Sequence, residues 1–234
     1  MSGIAAAQRG AGPAPAPPTP RASAPVDLTG YWVSVVSEDW RYRMVTPPKG
    51  DFGGVPLNAE GRKAAEAWDP ARESASGDAC RSYGAAGVMR IPGRLHITWQ
   101  DDDTLKVETD AGQQVRLLHL GRTHAAPAGP SPQGDTVAAW DGVGGRGAAP
   151  RWASLRAVTT HLRPGYLRKN GVPYSQDAVL TEYFDRHSAP DGSEWITVTS
   201  IVLDPAYLTQ EFITSTDFKK EPDATKWTPT PCET

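Results

Sequence analysis

The sequence predicts an all-β fold, an antiparallel closed barrel of about eight strands with one short helix, and three observations carry that expectation. The segment Asp27-Leu28-Thr29-Gly30-Tyr31-Trp32-Val33 places a Gly-x-Trp at the start of a first strand. Stretches of alternating apolar and polar residues then recur to the end of the chain, the period of a strand with one face buried. Between them stand turn signals at 101–103, at 110–112 and at Pro190-Asp191-Gly192.

Along the chain, residues 1–26 are dominated by Ala, Pro, Gly and Ser, a composition that buries too little apolar surface to offset the cost of ordering, and they are expected to form a disordered tail. Within that tail, Ala5-Ala6-Ala7-Gln8 has the small-residue character of the end of a secretory signal. The barrel domain is expected over 27–234, beginning with a strand near 28–36. A helix is expected over 59–68, with Asn58 as N-cap, Asp69-Pro70 as stop and Ala64, Ala65 and Trp68 turned toward the barrel. Strands follow at 95–100, 104–109, 113–120, 152–162, 179–186, 194–203 and 211–219, which with the first make eight. Sequential antiparallel pairing is the simplest way to connect them. The interval 125–150 reads as a long Gly/Ala/Pro-rich loop that carries one short strand-like piece at 135–140.

Composition removes several classes of function. A formal net charge of −3 over 234 residues offers no broad basic surface, so no nucleic-acid partner is expected. No run approaches the roughly 18 apolar residues of a membrane-spanning helix, so no membrane span is expected. The two cysteines, Cys80 and Cys232, allow one disulfide. It would close a loop of roughly 150 residues, contribute about 4–5 kcal/mol on the chain-entropy argument and pin the C-terminal tail. An extracytoplasmic location, periplasmic or secreted, would favour it.

Candidate functional residues fall in three places. Alternation puts Glu182 on one strand face with Leu180 and Phe184. An inward face would bury its carboxyl, either as a general acid or base or, the favoured reading, in an ion pair with an arginine such as Arg116 or Arg156. On the strand at 95–100, His96 shares a face with Thr98 and Gln100, and Trp99 shares the other with Leu95 and Ile97. His96, Trp99 and Trp40 are candidates to line a cavity or stack on a flat ligand. The segment 161–175 gathers His161, Arg163, Tyr166, Arg168, Lys169 and Tyr174 between two strands. It suits the mouth of a site for an anionic or aromatic ligand, with His161 and Tyr166 as further catalytic candidates and Arg163 and Tyr174 as binding ones.

The five histidines show no HxH or HExxH spacing, and His119 and His124 are a weak signal, so no metal is expected. Gly142-Val143-Gly144-Gly145-Arg146-Gly147 spells G-x-G-x-x-G outside any strand-to-helix context, so no dinucleotide and no other cofactor is expected.

Taken together, Asp27-Leu28-Thr29-Gly30-Tyr31-Trp32, Asp69-Pro70 ahead of Cys80, Gly121-Arg122-Thr123-His124, Ala139-Trp140-Asp141, Gly171-Val172-Pro173-Tyr174-Ser175, Leu180-Thr181-Glu182-Tyr183-Phe184, Asp204-Pro205 with Tyr207-Leu208-Thr209, and Cys232-Glu233 resemble a group of uncharacterised bacterial exported proteins with a lipocalin-like look. That resemblance implies an exported, lipocalin-like β-barrel and assigns no activity. The leading expectation is an exported barrel that binds a small apolar or aromatic molecule, with the loop from Arg163 to Tyr174 at its mouth. Its rival is a cofactor-independent lyase, isomerase or cyclase acting on a small molecule in the same cavity through Glu182 or a histidine. A third expectation is a structural protein whose barrel is filled by its own side chains. The sequence sets no oligomeric state.

Overall fold

Alternating side chains close nine strands into one barrel. A computed structural model describes residues 17–76, 78–121, 124–125, 127–142 and 152–233. In chain order the strands are β1 (Gly30–Val35), β2 (Arg94–Trp99), β3 (Thr104–Thr109), β4 (Val115–His119), β5 (Asp135–Gly142), β6 (Ala153–Thr160), β7 (Gly165–Arg168), β8 (Val172–Tyr174), β9 (Val179–Ser188), β10 (Glu194–Leu203) and β11 (Phe212–Glu221). The barrel runs β1-β11-β10-β9-β6-β5-β4-β3-β2 and closes β2 onto β1, while β7 and β8 form a separate hairpin. Helical segments α1 (Trp40–Arg43), α2 (Ala59–Glu66), α3 (Pro70–Ser76), a 3₁₀ turn (Ala79–Tyr83) and α4 (Ala85–Val88) fill the interval between β1 and β2.

The strand count and the pairing both depart from the expected eight antiparallel strands. The piece at 135–140, placed within a loop by its surroundings, is β5, a full barrel strand that pairs with β4 on one side and β6 on the other. In a ring whose neighbours are all antiparallel, strand directions alternate and the count must be even. Nine strands therefore require one parallel pair, and it is β4 with β5 (Leu118 opposite Thr136, His119 opposite Val137). Residues 120–134 supply the crossover of about a dozen residues or more that a parallel pair needs.

The single expected helix is joined by three more and a 3₁₀ turn. Asn58 caps α2 as its type predicts, its Oδ1 accepting from the Gly61 amide at 2.8 Å. The buried face of α2 is Gly61 and Ala65, and the helix packs on the β7–β8 hairpin instead of the barrel wall. There Trp68 lies against Gly171, whose φ of +81° and close approach to the Trp68 ring leave no room for a Cβ.

Inside the barrel the inward residues form three levels. One end is apolar, with Trp32, Ile97, Val107, Leu118, Leu155, Phe184, Ile196 and Phe218 in one cluster. Each such fully buried large side chain contributes about 1.5–3 kcal/mol. At the other end Leu180, Val202 and Phe212 join Leu57, Ala65, Leu167, Val172 and Tyr174 of the surrounding elements, which cap the barrel. Between them lies a polar belt of buried Arg116, Thr136, Thr159, Glu182, Ser200 and Thr214. Register sets the levels: Phe184 faces Val198, Glu182 faces Ser200 and Leu180 faces Val202.

Residues 17–26, within the expected tail, run against the apolar end. The Arg21 amide donates to the Asp102 carbonyl at 2.9 Å and Val26 packs on the core. The run Ala5-Ala6-Ala7-Gln8 and all but the first residue of the segment from Gly142 to Gly147 lie outside the described residues.

Cys80 and Cys232 form the disulfide, at a sequence separation of 152. The C-terminal strap it anchors is held further by Thr230, whose amide donates to Asp110 O (2.9 Å) and whose carbonyl accepts from the Gly112 amide (3.0 Å). No helix among the described residues is long and apolar enough to cross a membrane.

Candidate functional site: a cationic pocket at the capped end

Where α1, the run from the 3₁₀ turn through α4, β7 and the C-terminal strap meet, they leave a cavity of about 320 Å³. That is at the lower end of the volumes that hold small ligands. Its wall combines Arg43, Arg90, Arg168 and Lys169 with Tyr42, Tyr83, Leu167, Ile91, Met44 and Val45, and among the described residues the one carboxylate in it is Glu233.

Local structure explains how three guanidinium groups come together. The short α1 points Tyr42 and Arg43 inward and leaves Trp40 67% exposed. Arg43 donates through Nε to the Arg90 carbonyl (3.0 Å) and pairs with Glu38, which ties α1 to the end of α4. Arg90 pairs with Asp39 at 2.7 Å. Gly87 lets the α4 backbone approach β7 closely, since a Cβ there would lie 2.7 Å from the Tyr166 carbonyl oxygen. The β7–β8 hairpin then presents Arg168, which donates to Gly53 O (2.7 Å) and lies over the Tyr42 ring at 4.1 Å. Asn170, fully buried at the hairpin turn, donates to the carbonyls of Pro48 and Asp51 and fixes the segment that leads away from α1.

Electrostatically the pocket is unbalanced. Glu38 and Asp39 answer Arg43 and Arg90, whereas Arg168 has no carboxylate within salt-bridge distance among the described residues. Burial, and then the neighbouring positive charges, weaken the hold of Arg43 and Arg168 on their protons, with Arg90 the repelling partner of both. Arg43 Nη2 and Arg168 Nε are buried without a hydrogen-bond partner among the described residues. A cation held this way has unspent capacity for an anion.

The residues singled out from sequence are dispersed. Glu182 does face inward and takes the ion-pair alternative: Arg116 grips it through both terminal nitrogens, Nη1 to Oε1 at 3.0 Å, and both side chains are wholly buried. Arg116 also reaches Thr159 (3.4 Å), which bonds Thr136 at 2.8 Å. A wholly buried carboxylate gripped at both oxygens by a guanidinium is held as one half of an ion pair.

His161 sits at an exposed corner with Nδ1 on Thr160 Oγ1 (2.9 Å), and Arg163 meets Asp78 at 3.3 Å. Tyr166 donates to Glu73 at 2.8 Å beneath Arg81. Burial, reinforced by that acceptor, pushes its phenol up to about 12. Tyr174 is buried in the cap and burial pushes it likewise to about 12. His96 lies on the outer wall, stacked on Tyr31 at 4.1 Å with Nδ1 on Glu108 Oε2, and Trp99 borders a shallow groove with residues 21–29. Among the described residues no hydrogen bond or ion pair joins any two of Glu182, His161 and Tyr166.

The 161–175 segment thus meets the pocket through Leu167, Arg168 and Lys169, while His161, Arg163, Tyr166 and Tyr174 are not in its lining. Arg43 and Arg90 were missed. The signal for Arg43 was the aromatic-cationic run Trp40-Arg41-Tyr42-Arg43, which carries no periodicity and closes on Arg168 only in the tertiary fold, and no local pattern marks Arg90. No protein-family model, curated protein or solved structure matches this chain.

Proposed function

We propose that this protein is an exported, lipocalin-like binding protein for a small aromatic or apolar molecule that carries an anionic group, held in the cationic pocket at the capped end. The observation that supports the reading is Arg168, a buried guanidinium without a carboxylate partner, beside Arg43, Arg90 and Lys169 and against Tyr42. A carboxylate, sulfonate or phosphate suits guanidinium groups that have donors to spare. The apolar body of the ligand would lie over Leu167, Ile91 and the half-open edge made by Met44 and Val45. Two features support export: the disulfide, a bond that persists in oxidising compartments, and the resemblance described above. Because the barrel axis is filled by side chains, the ligand is assigned to the pocket beside the axis instead of the barrel interior.

The test is binding of anilinonaphthalene sulfonate, an aromatic anion, by the full chain, with the uncharged dye Nile red as control. Saturable one-to-one binding of the anion is expected, weakened about tenfold or more by Arg168→Met, as the loss of one charge-assisted hydrogen bond requires. Nile red should bind both proteins alike. An affinity for the anion that Arg168→Met leaves unchanged refutes the pocket. Indifference of the wild-type protein to both dyes favours the structural reading of a filled barrel.

A further inference from the structure

The parallel seam of the barrel brings together a second set of side chains, away from the pocket. His119 ends β4, Asp135 begins β5, and His124 lies in the crossover between them. Leu118 and Thr136 face the interior, so the flanking His119 and Asp135 project from the outer wall, and His124 folds back over them. One donor atom from each of the three lies within 4.8 Å of the others, all half-buried. His124 Nε2 stands 2.9 Å from Asp135 Oδ1, and the two imidazoles stack face to face at 4.3 Å.

We propose that His119, His124 and Asp135 bind one divalent transition-metal ion, with Zn²⁺ the best match, and that the ion fastens the crossover to the barrel wall. Two imidazoles and one carboxylate are a donor set suited to zinc, and three protein ligands on a half-open surface leave a fourth position for water. With bonds of about 2.1 Å, tetrahedral zinc holds its ligand atoms about 3.4 Å apart. The widest separation therefore contracts by at most about 1.4 Å and the His124–Asp135 contact of 2.9 Å opens by about 0.5 Å, both within the reach of side-chain rotation. A metal lies in the plane of each imidazole that binds it, and two parallel rings share no such point. Binding must therefore open the His119–His124 stack. Thr104 Oγ1, 3.4 Å from His119 Nδ1, is placed to orient that ring through its other nitrogen, the outer-shell support that metal-bound histidines generally have. The histidines stand five positions apart in sequence, so neither helical nor strand spacing announces the site.

The experiment uses the full chain, without an affinity tag, stripped with chelator and then dialysed against ZnCl₂. One equivalent of bound zinc is expected. It should be lost, or its affinity reduced at least about tenfold, in His124→Ala and Asp135→Asn, and kept in His96→Ala, whose ring also contacts a carboxylate. Near-ultraviolet circular dichroism establishes that each variant keeps the barrel. An independent readout needs no substitution: in histidine ring NMR of the wild type, two of the five rings should shift on adding zinc. Failure to reach one equivalent overturns the assignment. So does stoichiometric binding that survives His124→Ala, or a shift in any pair of rings other than His119 and His124.

Discussion

Replacing Glu182 by Gln tests whether the polar belt of the barrel is held by a paired charge. In the wild type Arg116 and Glu182 are wholly buried and joined through both terminal guanidinium nitrogens. The amide removes the negative charge and one of the two acceptors and leaves Arg116 as a buried cation with only Thr159 and one amide oxygen nearby. Breaking one side of such a pair costs about 3–5 kcal/mol. That is a large fraction of the roughly 5–15 kcal/mol by which domains are stable. With a urea slope of about 3 kcal/mol per molar, the unfolding midpoint falls by about 1–1.7 M. Removing both charges at similar volume, with Arg116→Met and Glu182→Leu together, should restore stability to within about 1 kcal/mol of wild type or exceed it. Equilibrium urea unfolding followed by tryptophan fluorescence and far-ultraviolet circular dichroism gives all the values, and Arg116→Met and Glu182→Leu made singly complete a double-mutant cycle. If Glu182→Gln unfolds within about 1 kcal/mol of wild type, or the double variant is as weak as the single, the pair does not hold the belt. The same measurement bears on catalysis. Activity lost in Glu182→Gln counts as chemistry only when corrected for the unfolded fraction.

Two further outcomes follow from the cap. Closing a loop of 152 residues, the Cys80–Cys232 bond is worth about 5 kcal/mol on the chain-entropy argument. Replacing both cysteines by alanine should lower urea stability by an amount of that order and, because Thr230 and Glu233 wall the pocket, also weaken anilinonaphthalene sulfonate binding; unchanged stability and unchanged binding together would contradict the role given to the strap. Alkali should loosen the cap through its tyrosines: an unfolded phenol ionises near 10, and those of Tyr166 and Tyr174 near 12, so the stability they confer is complete below pH 10 and is lost as pH rises from 10 to 12. For the buried Tyr174 that loss is about 2–3 kcal/mol, and Tyr174→Phe should flatten the alkaline limb of stability against pH; a limb equally steep in the variant would locate the alkaline transition elsewhere.

Much of the barrel was legible because a strand writes its environment locally. Leu180, Glu182 and Phe184 alternate with half-buried neighbours, and the same period identified the other long strands. The face of β2 was settled by packing, Leu95 and Ile97 inward and His96 outward. The strand at 135–142 was discounted because Gly, Ala and Pro surround it, and with it went the parallel seam, which no local pattern encodes. Site residues were harder to read. His161, Arg163, Tyr166 and Tyr174 were chosen for side-chain type, yet the hairpin turns Tyr174 into the cap and Arg168 into the pocket, a choice made by the register of four-residue and three-residue strands. Arg43 lies in a four-residue helix and Arg90 in the turn after another, both too short for periodicity to mark.

By itself the sequence determined an all-β barrel, the shared strand face of Leu180, Glu182 and Phe184, the N-cap of the one sizeable helix and the pairing open to its two cysteines. Each follows from composition or from a period of a few residues. Only the tertiary structure decided that Arg116 is Glu182's partner, that nine strands close with one parallel pair, that three arginines meet beside the barrel axis, and that His119, His124 and Asp135 converge on its outer wall. Those are contacts between residues far apart in the chain or across an irregular loop. Such contacts depend on how the barrel closes and how its cap packs, which a pattern of neighbouring residues does not specify.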